Sequence, residues 1–549
     1  MGIVPYWRIR MRRTAGKTLI WFILLALLSG CAGVRTNAPL TETPEPVYDQ
    51  VIPGTEVKER QPADRVFSLN YDPNASMNPV RAESSANMQF WSLLYDSVFT
   101  VNPDWTVSSE VVTDWQSDDF TWWVFHIDDT IPFSDGTTLS AADVAYSIQR
   151  AQQSSYYANR LSIIYGISAL SSDTFAITTK YANSQFPALL NIPIIKKGDY
   201  FEDRPIGTGP YMLSEEGDRL VLHTGNRHAA EMPLDTIWLR DCMDTSARIR
   251  AFEEAAIDLV VNDPTSMYNL GYGSSNEKRY FNTSNMHFIG FNTESMYFLS
   301  AAARRAVGFA ADRDAIVSGL LNDCGIAATL PVHPDSSYYD EAYARGFAFD
   351  PEKAKLMFEN AGVSDYDNDG TPEMLITGIV VEINLRFVVN SDSTAKVLAA
   401  RKIAEQLNAI GIKTTLYELT WADYVSALEN GEFDLYYGEI RMTPDWNLSE
   451  LFRPREDRRK DTTFQGLNYA RTRDYGYVNL YEKYLAAADD GARAEALMQV
   501  NRYITETGII LPLCFEQREL LTHRGVASGI SATQYDVFHN FNEWTINLE

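Results

Sequence analysis

Between Arg386 and Leu416 the chain changes period twice, and this constrains its fold more than any other feature. Arg386 to Val389 (RFVV) reads as a short apolar strand. Val397, Ala400, Ala404, Leu407 and Ile410 then recur at helical spacing, and Gly411 stands where a helix stops. Ile412, Thr414 and Leu416 alternate as a second strand. A strand, a crossover helix and a strand in that order make a parallel pair, which implies an α/β sheet covered by helices. The pattern continues downstream. Thr420 opens a helix with Tyr424 and Leu428 on its buried side, Gly431 ends it, and FDLYYGEI (433–440) follows as a strand. Upstream, WWVFHI (122–127) is a strand, and Ser140 heads a helix with Asp143 as its capping-box acid and Val144 and Ile148 on one face. Asp312 caps a helix that carries Ile316 and Leu320. No repeat of solenoid period runs through the chain.

A chain of 549 residues makes two or three domains. At 45% hydrophobic and 12% aromatic it can fill large cores and leave rings for a cleft, and it is too aromatic for wholesale disorder. The N-terminus sets the compartment. Arg8 to Lys17 are cationic, and TLIWFILLALL (18–28) is an apolar run well short of the roughly 20 residues that span a bilayer. That run has the length of a signal-peptide core. Leu28-Ser29-Gly30-Cys31 closes it and resembles a bacterial lipobox, which makes Cys31 the lipidation site. The expected layout is a signal peptide at 1–30 and a lipidated flexible tether at 31–62, rich in Pro, Thr and Glu.

Asp and Glu number 73 against 47 Lys and Arg, and all of the first thirty residues' charged side chains are cations, so the remainder is strongly acidic. Such a surface repels nucleic acid and anionic lipid. Cys242, Cys324 and Cys514 are far apart, with no metal-ligand spacing, and read as ordinary buried thiols. No HExxH, GxSxG or GxxxxGK[ST] motif is present. Asp365, Asp367, Asp369 and Gly370 begin like a calcium loop, but position twelve is Ile376 where a bidentate Glu is needed, so an acidic surface turn is expected. Arg458-Arg459-Lys460 reads as a solvated basic face. Neither a cofactor nor a metal is expected.

Several strings occur in family order. They are WQSDDFTWWVFHIDDTIPFSDGTTLSAADVAYSIQRA (115–151), PIGTGPY (205–211), GFNTES (290–295), RRAVGFAADRDAIV (304–317), FDPEKAKLMFENAG (349–362) and FDLYYGEIRMTPDWNLS (433–449). In this order the chain resembles family 5 of the extracellular solute-binding proteins, the oligopeptide, dipeptide and nickel-binding group of ABC importers. NRHAAEMPL (226–234) departs from the family in lacking the aromatic residue usual there. The resemblance implies an α/β, two-lobed, periplasmic-binding-protein-like fold of type II with an extra inserted domain. Lobe I would be 63–87, 206–286 and 516–549, domain II 88–205, and lobe III 287–515.

It also implies a function. The chain would be a non-enzymatic, lipid-anchored monomer facing the extracellular or periplasmic side, with no nucleic-acid partner. It would capture oligopeptides or peptide-like solutes by hinge closure and pass them to the permease subunits of an ABC transporter. The alternatives are an extracellular lipoprotein hydrolase, or a binder of a nickel chelate, haem or an oligosaccharide. In the family an aspartate after the FDL strand pairs with the ligand's α-amino group, and Asp445 stands in that loop. Its other reading is a cap on the following turn. Tyr437, Glu439, Arg441 and Trp446 flank it, and Trp421 is a cleft wall or a core residue. Dipeptide binders hold the ligand carboxylate with an arginine near the position of Asn390. Its absence favours longer or non-peptide ligands. YDPNASMNP (71–79) matches the first strand and loop lining the cleft, which puts Met77 and Asn78 in the expected site.

Overall fold

Local chemistry sets the elements of the computed structural model, which describes residues 66–548 except 243, 264–271, 273–275, 322 and 455–466. The leader, the tether with Cys31, and Arg458-Arg459-Lys460 lie outside the described residues. Ser140 and Asp143 form a reciprocal capping box ahead of helix Ala141–Ala151, whose Val144 and Ile148 are buried. Asp312 accepts from Ala315 N at 3.0 Å and starts Arg313–Leu320. Thr394–Ala409 spans the expected crossover helix, Gly411 follows it at φ +87, and Gly431 ends Trp421–Asn430 at φ +72. The strand after the crossover helix begins at Thr414, two residues later than alternation suggested, because Ile412 is spent on the turn.

The strands of the main sheet, in chain order, are β1 (Ser68–Tyr71), β2 (Tyr211–Leu213), β3 (Arg219–Leu222), β4 (Thr236–Asp241), β5 (Leu259–Asn262), β6 (Asn276–Phe291), β7 (Gly325–Ala327), β8 (Leu385–Asn390), β9 (Thr414–Leu419), β10 (Leu435–Arg441) and β11 (Ile510–His523). They lie in the order β9-β8-β10-β6-β11-β5-β1-β4-β3-β2, with β7 added to β11. β8 is parallel to β9 and β10, and β1 is parallel to β4 and β5. The strand–helix–strand reading of 386–419 therefore holds.

β6 and β11 are much longer than the rest, and they join the two halves of the sheet. Their lower part, Asn276–Asn282 against Gln517–His523, borders β5, and their upper part borders β10. Between the two parts the register shifts, between Asn282 and Met286. A shift of this kind interrupts the ladder and lets the strands bend. The fold is two-lobed α/β. The second half is sandwiched between two buried clusters, one under Ala301–Ala310, Arg313–Leu320 and Thr394–Ala409, the other under Trp421–Asn430, Gly476–Leu485 and Asp490–Thr507.

Between β1 and β2 the chain builds a separate four-stranded sheet, Val112–Gln116, Trp122–Ile127, Thr174–Thr179 and Ile164–Ala169 in that order. Its core merges with that of the first half. The PIGTGPY turn docks it closely: a Cβ on Gly207 would meet Leu94 O at 2.1 Å, and one on Gly209 would meet Leu94 C at 2.4 Å. Glycine is required there because no side chain fits. Cys242, Cys324 and Cys514 are buried thiols, and none forms a disulfide among the described residues. Among those residues no helix is long and apolar enough to cross a membrane.

Candidate functional site

Ligands of α/β sheets sit beyond the carboxyl ends of the parallel strands. Here those ends approach the crossing strands from both halves. β1, β4 and β5 end at Tyr71, Asp241 and Asn262, and β8 and β10 end at Asn390 and Arg441. Arg441 pairs with Asn285, inside the register break of β6.

Seven of the expected residues stand at this junction. Tyr437, Glu439 and Arg441 alternate onto one face of β10. Tyr437 is buried, and its hydroxyl meets His287 Nδ1 at 2.7 Å. Glu439 pairs with Lys396 in the first turn of Thr394–Ala409. Arg441 Nη2 donates to the Tyr156 hydroxyl at 2.8 Å and lies 5.0 Å over that ring. Asn390 Oδ1 accepts from Asp392 N at 3.1 Å, shaping the turn into the helix. Trp421 is 58% exposed at the start of its helix, which favours a wall over a core position.

Asp445 is 2% exposed. Its carboxylate accepts from Thr443 Oγ1 at 2.6 Å, Asn183 Nδ2 at 3.0 Å and Asn447 N at 3.4 Å. Burial pushes its pKa above the usual range, against the pull of those donors. No cation pairs with it among the described residues. Trp446 is buried, at φ +52, with its ring 4.9 Å from Trp105 and 6.3 Å from Phe515. Trp105 itself sits at φ +68. Non-glycine residues held in this region cost of order 1–3 kcal/mol each and persist where the surroundings impose them.

One expected residue is corrected. Asn78 is buried, its Nδ2 donates to the carbonyls of Asp199, Tyr200 and Glu202, and its Oδ1 accepts from Val80 N and Arg81 N. Asn78 thus staples two loops and has no donor left for a ligand, while its neighbour Met77 is half-buried against the first core cluster.

No local pattern pointed to His287 and Glu516, which are 229 residues apart. His287 Nε2 lies 2.8 Å from Glu516 Oε1, and Glu516 also accepts from Asn285 Nδ2 at 3.0 Å. Burial alone would raise the pKa of Glu516, but the imidazole beside it and the Asn285 amide hold it at about 2. Glu439 brings a third ligand atom, all within 4.8 Å, so these three side chains form a donor set for a metal. Both His287 nitrogens are already engaged, however, and Lys396 pairs with Glu439, so in this arrangement the group is a hydrogen-bonded chain beside an ion pair. The acidic turn gathers Asp365, Asp367, Asp369 and also Glu373, a strand residue that falls at position nine of the same twelve-residue pattern. Their oxygens accept from the backbone of Tyr366, Asp369, Gly370 and Thr371.

Beside the crossing strands lies a cavity of about 360 Å³, within the range of small-molecule sites. Trp105, Tyr280, Asp335, Gln517, Gln534 and Tyr535 line it.

Residues 101–455 match the family described as bacterial extracellular solute-binding proteins, family 5 Middle. The chain belongs to this family. Heme-binding protein A of Haemophilus influenzae is 24% identical over 359 residues, covering 58% of this chain and 62% of that protein. Oligopeptide-binding protein AppA of Bacillus subtilis is 24% identical over 364 residues, covering 62% of this chain and 65% of AppA. The matched stretch thus spans under two thirds of either relative. Among solved structures, HbpA2 from Haemophilus parasuis superposes with a TM-score of 0.72 at 17% identity, covering 88% of this chain and 99% of that one. AppA from B. subtilis in complex with a nonapeptide gives 0.60 at 19%, covering 88% and 98%. These likenesses establish the two-lobed family fold.

Proposed function

We propose that this member of family 5 is a receptor that captures a peptide or peptide-like solute outside the cell and delivers it to an ABC import permease. It performs no reaction on the solute. A lipid on Cys31 and the 31–62 tether hold it at the membrane. Lobe I (63–87, 206–286, 516–549) and lobe III (287–515) close on the solute, and domain II (88–205) is inserted in lobe I. One observation carries the reading: the two half-sheets are joined through β6 and β11, whose register shifts where the parallel strand ends converge. A hinge at that place lets a ligand touching both lobes favour the closed state.

Asp445 is the amine partner in this reading. Its buried carboxylate is held by neutral donors only, and a ligand ammonium would supply the missing counter-charge. Capture at micromolar concentration needs about −8 kcal/mol. Part of that comes from backbone hydrogen bonds of an extended chain, and part from the Trp421 ring.

Native mass spectrometry of the exported protein, incubated with a peptide mixture, tests the reading. Intact bound peptides are expected; fragments would instead reveal a hydrolase. Asp445→Ala weakens peptide binding at least tenfold, about 1.4 kcal/mol. Unchanged affinity in a folded variant removes Asp445 from the role. Cys31→Ala releases the protein from the membrane fraction, and retention there would end the anchoring proposal.

A further inference from the structure

Three donors converge on one face of the sheet, each from a different strand. His287 on β6 stands opposite Glu439 on β10 and Cys514 on β11, and Glu516 follows two residues after Cys514. One imidazole nitrogen and one oxygen of each carboxylate all lie within 4.8 Å of one another. His287 is 1% exposed and Glu516 5%, while solvent reaches Glu439. None of the three lines the cavity beside the crossing strands, so the cluster is separate from the solute-sized space. Imidazole with two carboxylates suits a borderline transition metal, whereas calcium and magnesium take oxygen ligands. Bonds of about 2.0–2.2 Å to zinc put ligand atoms roughly 3–4 Å apart. The 2.8 Å between His287 and Glu516 is close to that spacing, and a rotation of the exposed Glu439 completes the set.

Two further observations mark the cluster as a cation site. The buried pair is held in place from behind. The Tyr437 hydroxyl meets His287 Nδ1 at 2.7 Å, which turns Nε2 toward Glu516 Oε1, and Asn285 Nδ2 donates to the other Glu516 oxygen at 3.0 Å. Partners of this kind orient metal ligands and fix the imidazole tautomer. The open side already draws a positive charge, because the Lys396 ammonium sits on Glu439. Arg518 reaches the outer Glu516 oxygen only at 3.7 Å and pairs more closely with Asp263. Among the described residues the two carboxylates therefore share one close cation, and that lysine side chain can leave for solvent. A divalent ion would balance both carboxylates.

We propose that His287 Nε2, Glu439 and Glu516 bind a resident divalent transition-metal ion, zinc being the representative, with water at the remaining position. The ion takes the place of the proton between Nε2 and Glu516. That proton passes to Nδ1, where the Tyr437 oxygen accepts it, and Lys396 swings off Glu439. The ion ties β6, β10 and β11 together just past the register shift between Asn282 and Met286, and so stiffens the crossing strands. This site goes beyond the solute reading and does not depend on it.

Calorimetric titration of the untagged, chelator-treated exported chain with zinc chloride tests it. The same titration is run on an Asp365→Asn, Asp369→Asn double variant, which silences the acidic turn. Saturable binding of a single zinc is expected in both, and excess calcium does not compete. Glu439→Gln, at the exposed end of the cluster, weakens zinc binding roughly tenfold or more, and Tyr437→Phe weakens it about tenfold through the imidazole. Lys396→Met removes the competing ammonium and tightens binding. Zinc raises the thermal midpoint of the wild type and leaves that of Glu439→Gln unmoved. Absence of saturable zinc binding, an affinity unchanged in Glu439→Gln, or binding lost with the Asp365 and Asp369 substitutions overturns the assignment. None of these outcomes touches peptide capture, so the receptor reading stands or falls by its own test.

Discussion

Asp258, beside β5, and Glu516, in the crossing strand β11, are both buried carboxylates, yet their surroundings move them in opposite directions. Asp258 accepts one short bond, from Ser68 N at 2.7 Å. Burial dominates and raises its pKa to about 6, against the pull of Ser68 and the distant charge of Arg240. Glu516 is equally enclosed, but it faces His287 and the Asn285 amide, and its pKa falls to about 2. Burial sets the cost of a charge, and the partner across the strand decides whether that cost is met. By the same standard Asp445 is a buried charge that only neutral donors meet among the described residues.

The comparison breaks most sharply at the His287–Glu516 pair. Glu516→Ala strands a buried imidazole and is expected to cost about 3–5 kcal/mol in urea unfolding; a loss under about 1 kcal/mol would show the pair to be incidental. The pH dependence separates the two acids next. The low pKa of Glu516 gives stability that is full above the ordinary glutamate range and is lost as pH falls toward 2. The raised pKa of Asp258 acts in reverse: from about pH 4 to 6 the folded state binds more protons than the unfolded, so its contribution declines as pH rises. Asp258→Asn keeps the acceptor for Ser68 N and should gain on the order of 3 kcal/mol at neutral pH, flattening that window. A variant with the wild-type slope in thermal melts across pH 4–7 would remove Asp258 as its source. Ser140→Ala gives the smallest effect, about 1 kcal/mol. It probes a third buried carboxylate, Asp143, which backbone and hydroxyl donors satisfy without any cation. A null result by the same urea assay would mean that Lys197 N and Ser140 N alone suffice for it.

Much of the fold was readable because its signals are local. The period change across 386–419, the caps at Ser140, Asp312 and Thr420, and the glycine stops at 411 and 431 all lie within a few residues of what they control. The site was readable in its elements and obscure in its pairings. The loop holding Asp445 followed from family order, and Trp421 from its place in the first turn of its helix. Asn183, which holds Asp445, is 262 residues away, and Tyr156, which meets Arg441, is 285 away. No periodicity reports such partners, because they depend on how the lobes approach. Asn78 misled for a related reason: its inward turn depends on carbonyls at 199–202, far from it in sequence.

The order of synthesis gives the strand arrangement a further consequence. β5 lies between β1 and β11, and its partner in β11, residues 519–522, is made long after it. Until that segment appears, β5 is an open sheet edge and the first lobe is unfinished. Because this contact is so distant in sequence, it forms slowly. The first half-sheet therefore stays incomplete until β11 has been synthesised, so a contact made late in the chain closes a lobe begun early in it.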